Sequence, residues 1–237
     1  MDRTLTLLSF GPNGWMDQIM YGFLVTGGLA LATLPFGLFI GFLLALAKQS
    51  EVKQLRLAAE IYTTIFRGLP ELLTLFLVYF GLQIGFRQTL LFFGVEGGIE
   101  INSFLAGMMA LGVVFSAFSS EVLLSAFKAI PVGQYEGAYA LGLGWVRTMT
   151  KVILPQLVRI ALPGLGNLWM ILLKDTALVS AIGLTDILRQ TGVAARVSKE
   201  AFLFFGIAFL LYLALALISS VALNRIEAYG KRGEQSR

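Results

Sequence analysis

The sequence predicts an all-α membrane protein with five transmembrane helices and a helical cytoplasmic loop between the third and fourth. Three observations carry that prediction. The chain is 57% hydrophobic and only 14% charged, where a soluble domain carries about 25% charged residues. Its mean hydropathy is +0.80. Its apolar residues fall in solid runs of membrane-crossing length, unlike the short alternating segments of a transmembrane barrel. The 237 residues suit one transmembrane domain spanning 1–237.

A span needs about 20 mostly apolar residues, and extra length allows tilt. Five segments qualify. The first, 18–47, is free of charge and holds Gly27, Gly28, Gly37 and Gly41, small residues that permit close helix contact. Pro35 is expected to kink it. The second, 57–86, carries Glu60, Arg67 and Glu71 in its first half. There Pro70 lacks the amide that would bond the Phe66 carbonyl and is expected to kink the span, so the helix is expected to be interrupted by a kink around Arg67, Gly68, Pro70 and Glu71. The third, 101–127, is interrupted by Glu121, and the fourth, 157–185, by Lys174 and Asp175. The fifth, 201–224, is free of charge. Polar segments, "FGVEGGIEINS" and "TDILRQTGVAARVSKE", link spans two to three and four to five.

Lysine and arginine in short loops set orientation. One side holds Lys48, Lys53, Arg56, Lys128, Arg147, Lys151, Arg159, Arg225, Lys231, Arg232 and Arg237. The other holds Arg3, Arg87, Arg189, Arg196 and Lys199, so the bias is eleven against five. The first side is expected to be cytoplasmic, with the N-terminus periplasmic and the C-terminus cytoplasmic.

Several classes fall away. The net charge of +4 is spread between apolar runs and does not point to nucleic acid. There is no cysteine and no histidine, which removes thiol nucleophiles, imidazole bases and the usual zinc ligands; no metal site is expected. The N-terminus, with an acid at position 2 and no sustained apolar core, does not read as a secretory signal. The phosphate-binding pattern Gly-x4-Gly-Lys-Ser/Thr is missing; Gly230-Lys231 is followed by Arg232. An intramembrane Ser–Lys dyad from Ser119 or Ser120 with Lys174 has nothing to position it. A stand-alone secondary transporter or channel is the alternative class, and such carriers often show inverted repeats; none is evident.

The stretch "QYEGAYALGLGWVRTMTKVILP", residues 134–155, is the most informative. Tyr135, Ala138 and Tyr139 recur at helical spacing with Gly142 next on the same face. Gly144 is expected to separate this piece from a second short helix at 145–151, and Pro155 to end the loop. By spacing alone an ordinary interfacial loop is favoured. The stretch resembles, however, the "EAA" loop of permease subunits in ATP-binding-cassette importers: E-A-A, three residues, G, nine residues, I-x-L-P. Glu136, Ala138, Gly142 and Leu154-Pro155 match. Gly137 replaces the first alanine and Val152 the isoleucine.

Further segments extend the likeness. "IYTTIFRGLPELLTLFLVYFGL", "FSSEVLLSAFKAIPVGQYEGAYALGL" and "LLKDTALVSAIGLTDI" resemble spans two, three and four of polar amino-acid importers, in the histidine, arginine, lysine and opine permease group. The resemblance implies a five-span inner-membrane permease that makes half of an alternating-access pathway. It implies two ATPase subunits, a second permease (identical or homologous) and a periplasmic amino-acid-binding protein as partners. ATP and Mg would be used by the ATPases, with no cofactor on this chain and no enzymatic role for it. The loop 131–155 becomes a coupling-helix loop, with Glu136, Gly137, Ala138, Gly142, Leu154 and Pro155 at the ATPase contact.

Charges inside spans usually face a cavity or a partner. Lys174 and Asp175, being adjacent, diverge by about 100° on a helix. Thr176 and Ser180, four apart, are expected on one stripe. For Asp175 contact with a substrate ammonium is favoured over a structural Lys–Asp network, and the resemblance supports it; for Lys174 the order is reversed. For Glu121 the two readings weigh equally, with Lys174 or Lys128 as its expected ion partner. Arg67 and Glu71, four apart, are expected to pair along their helix. The candidate path is therefore Asp175, Thr176, Ser180, Glu121 and Lys174, and the cargo a basic amino acid or opine.

Overall fold

The computed structural model describes residues 3–94 and 101–231, so part of the linker 93–103, and Arg232 and Arg237 of the charge bias, lie outside the described residues. All regular elements among the described residues are helical. After a short α1 (Arg3–Leu7), α2 (Met16–Lys48) runs for 33 residues, about 50 Å at 1.5 Å per residue. It continues through Pro35 without ending. Its buried positions, including Ile19, Thr26, Leu29, Thr33, Gly37 and Gly41, recur every three or four residues and form one stripe. That stripe packs on α5 (Ser103–Ala129), the central helix, in the most extensive contact of the fold. A Cβ on Gly37 would come 2.6 Å from the Phe115 ring, and one on Gly41 would strike Ser119. The glycines are therefore what let the two helices approach. Asn102 starts α5 by accepting the Phe104 amide at 2.8 Å.

The second span differs from its expected limits. It is two helices, α3 (Lys53–Gly68) and α4 (Glu71–Phe92), and only α4 has membrane-crossing length and hydropathy. Pro70 breaks the helix outright instead of kinking it. Leu69 before it is extended at ψ 145°, since the proline ring bars the preceding residue from helical geometry. The α4 helix shows most of its surface, with Leu73, Leu77, Phe80 and Ile84 exposed.

The loop and fourth span also depart from expectation. After α6 (Val132–Ala140), helix resumes at α7 (Trp145–Thr148) and runs on through a π turn (Met149–Ile153) into α8 (Leu154–Asp175) and a 3-10 segment (Thr176–Ile182). The span is thus one rod, Trp145–Ile182, and not a short helix followed by a span from 157. Pro155 sits in the first turn of α8 and does not end the loop. The π turn just before it opens the helix where a proline has no amide to give and its ring would crowd the preceding turn. Beyond the rod, "TDILRQTGVAARVSKE" is no simple linker. It folds as the amphipathic α9 (Ile187–Ser198), burying Ile187, Thr191, Ala194 and Ser198 against α2 and α10 (Ala201–Lys231).

Candidate functional site

The loop α6–α7 is built on its own backbone terms. Gly142 has φ +76°. Its amide donates to the Tyr139 carbonyl at 2.9 Å and the Leu143 amide to the Ala138 carbonyl at 3.1 Å. These two bonds are the signature of a glycine-terminated helix end, so Gly142 is required by backbone geometry before any docking argument applies. Glu136, Gly137 and Pro155 are exposed, and Leu154 is half-buried. Ala138 is 4% exposed and packs inward. It props α6 from beneath and offers no surface outward, unlike its expected place in the contact. The outward surface is apolar: Leu141 is 83% exposed, and Val132, Tyr139, Trp145 and Val146 are also exposed.

This loop is clamped to the rod. Gln156 donates to Gln134 at 3.1 Å and Thr148 to the Leu143 carbonyl at 3.3 Å. Tyr135 packs into a core of Phe127, Ile130, Ile153 and Leu157.

At the rod's other end lies a cavity of about 120 Å³ between α4, α5 and α8. Its walls are apolar, with Leu75, Phe115, Phe118 and Leu172 among them, and its charged groups are two carboxylates, Glu71 and Asp175. Glu71, expected only at a helix break, is therefore a cavity residue. Thr176 is not. It is fully buried, donates to the Leu173 carbonyl at 2.7 Å and faces away from the cavity. The reason is helix type: with three residues per turn, Thr176, Val179 and Ile182 align and bury together, and Ser180 falls on another side. Ser180 is half-buried, and its carbonyl accepts from Arg189 Nη1 at 3.3 Å. Lys174 is exposed and does not line the cavity.

The intramembrane ion pairs are also rearranged. Arg67 does not pair with Glu71, because the extended Leu69–Pro70 step destroys the helical spacing between them. Its guanidinium lies 3.1 Å from Glu121 and 5.6 Å from the centre of the Phe118 ring. Glu121 pairs with Arg67 and Lys48, and not with Lys174 or Lys128, since α3 and the end of α2 flank α5 at that depth.

A second buried polar group was not anticipated. Asp186 is fully buried and caps α9 by accepting the Arg189 amide at 2.9 Å. Tyr212 of α10 donates to it at 3.5 Å, and the neighbouring Ile187 amide donates to Thr26 of α2 at 3.2 Å. Burial pushes the Asp186 carboxyl up to about 6, offset in part by the amides and the Tyr212 hydroxyl. The signal was present in the sequence: an Asp directly before an apolar-periodic run is a helix-start residue.

Comparison with known proteins follows this geometry. The family model described as the inner membrane component of binding-protein-dependent transport systems matches residues 37–228. The nopaline transport system permease protein of Agrobacterium fabrum is 41% identical over 239 residues, covering 98% of this chain and 99% of that protein. The arginine transporter permease of Escherichia coli K12 is 36% identical, covering 89% and 94%. A crystal structure of an amino acid ABC transporter with histidines superposes with a TM-score of 0.76 at 32% identity, covering 91% of this chain and 95% of that one.

Proposed function

Since the chain belongs to the family of inner membrane components of binding-protein-dependent transport systems, we propose that it is the permease subunit of an ATP-driven importer of basic amino acids or opines. The observation that carries the reading is the rod Trp145–Ile182. One continuous helical segment joins the exposed α6–α7 loop to Asp175 at the cavity. A push on the loop is carried along this rod, past the π turn at Met149–Ile153, to the cavity.

Of two ATPase subunits serving the permease pair, one docks on the apolar surface around Leu141 and Trp145, with Glu136, Gly137, Gly142, Leu154 and Pro155 in or beside the contact. The ATPases bind and hydrolyse ATP with Mg. A second permease subunit completes the pathway, and a periplasmic binding protein delivers the cargo. The charge bias supports an N-terminus in the periplasm and a C-terminus in the cytoplasm. The cavity supports the cargo class. Among the described residues its charged lining is Glu71 and Asp175, and two carboxylates in an apolar wall favour a cationic group.

The test is reconstitution in proteoliposomes with the cognate ATPase and sister permease, measuring uptake of labelled arginine and histidine. ATP-dependent uptake, lost in Leu141→Glu together with ATPase co-purification, is the expected result. Uptake indifferent to ATP would overturn the importer reading in favour of a secondary carrier. ATPase assembly without uptake of either compound would overturn the cargo alone.

A further inference from the structure

Besides the cavity, the described residues hold a second and wider opening. A polar groove of about 670 Å³ lies between α2, α3 and α5, lined by charged residues of both signs, among them Lys48, Arg56, Glu60, Glu121 and Lys128. These groups belong to the basic-rich side of the chain. The cavity and the groove share no lining residue, yet they are neighbours along α5. Phe118 lines the cavity, and Glu121, one turn further on, lines the groove. One side chain touches a lining residue of each. The Arg67 guanidinium lies over the Phe118 ring and pairs with Glu121.

We infer that Arg67 is the inner gate of the transport path: its side chain closes the passage from the Glu71–Asp175 cavity to the charged groove, and its withdrawal from Glu121 opens it. The inference rests on the transport reading for what passes, but not for the gate's position.

Three features make Arg67 the moving member. Glu121 has two cationic partners. Of these, the Lys48 side chain is 6% exposed and Arg67 is 43% exposed, with Glu121 itself at 32%. Lys48 is fixed inside the α2–α5 packing, whereas the Arg67 pair is partly solvated and correspondingly weak. Arg67 also ends α3 just before the extended Leu69–Pro70 step, where the chain can swing without breaking helix hydrogen bonds. Finally, Glu71 lies just beyond that step and lines the cavity, so a movement of the α3 end is felt at both the gate and the carboxylates. A cationic cargo leaving the carboxylates meets Glu121 next and competes with Arg67 for it.

The chain has no cysteine, so a single introduced thiol reports the gate. Val114→Cys lines the cavity, and its modification by a membrane-impermeant maleimide is followed in vesicles of both orientations, without ATP. Labelling from the groove side is expected to be slow in an otherwise unaltered chain. Arg67→Gln should accelerate it by about tenfold, a shift on the scale of an opened two-state population. Arg67→Lys, which keeps a charge at Glu121, should stay near the slow rate. Should Arg67→Gln fail to assemble, Phe118→Ala removes the ring under the guanidinium and should open the same passage. Equal labelling rates with and without Arg67 would overturn the gate. Accelerated labelling in a protein that shows no ATP-driven uptake would keep the gate and sink the import reading, so the two failures are distinguishable.

Discussion

Substitution of Gly142 separates two reasons for a glycine at the end of α6. One is room for a partner. The other is backbone: φ is +76°, where a residue with a Cβ pays about 1–2 kcal/mol. Among the described residues, no atom beyond its chain neighbours lies within 4 Å of a Cβ placed there, so against these residues the cost is conformational. Escaping the strain means giving up the bonds from Gly142 to Tyr139 and from Leu143 to Ala138. At roughly 1 kcal/mol each, that route costs no less. Gly142→Ala is therefore expected to weaken the α6 end by about 1–2 kcal/mol, a factor of roughly 5–30 in its closed population. Asparagine tolerates the left-handed region better than alanine because its short amide bonds locally. The backbone argument thus ranks Asn above Ala, while a docking-space argument ranks the smaller Ala above Asn. Hydrogen exchange of the segment 138–146, with co-purification of the ATPase, reads both. Greater damage from Asn than from Ala would refute the backbone reasoning.

Other substitutions test the remaining elements. Gly137 lies in open space within α6, so Gly137→Ala should slow exchange across α6, gaining up to about 1 kcal/mol of helix propensity. Gly41→Val drives methyls into Ser119 across the α2–α5 contact and should cost about 1–3 kcal/mol, read as a lower melting temperature in detergent. Asp186 is raised from its ordinary 3.8 to about 6. The folded chain therefore holds a proton that the unfolded chain has released between those values, and its stability falls as pH rises through that window. The loss is at most ~3 kcal/mol. Asp186→Asn, which can still cap α9, should flatten the melting temperature between pH 4 and 6; an unchanged pH slope would show that another group titrates.

What the sequence made legible was what local pattern encodes. Five runs of sufficient length gave the five spans, and the family resemblance over Glu136 to Pro155 pointed to the loop for which coupling is proposed. The errors were of three kinds. Hydropathy sums run smoothly across Leu69–Pro70 and past the start of the rod at Trp145, so helix ends set by a single backbone angle or a π turn were misplaced. The partner of Arg67 was sought along its own helix and that of Glu121 at Lys174 or Lys128, but Arg67 and Lys48 find Glu121 across helices, a choice made by tertiary packing that spacing cannot reveal. Thr176 and Ser180 do not share a stripe because spacing at i, i+4 presumes 3.6 residues per turn, and the chain tightens to three just after Asp175.

That tightening bears on how the fourth span works. The rod changes type twice, to π before Pro155 and to 3-10 after Asp175. Between these points α8 is α-helical for 22 residues, about 33 Å, despite Pro163 within it. A mid-helix π or 3-10 stretch often marks a hinge, and here each change stands next to an end that the proposed function uses: the first beside the clamped α6–α7 loop, the second beside the cavity carboxylate. Rigidity in the middle with compliance at the ends is what a lever needs. Beyond the second change, the rod is tied to α9 through the Ser180–Arg189 bond, and α9 to α2 and α10 through Thr26 and Tyr212. The far end is thereby anchored, so under the proposed coupling a displacement entering at α6 would be taken up at Asp175 and the 3-10 turn instead of moving the whole span.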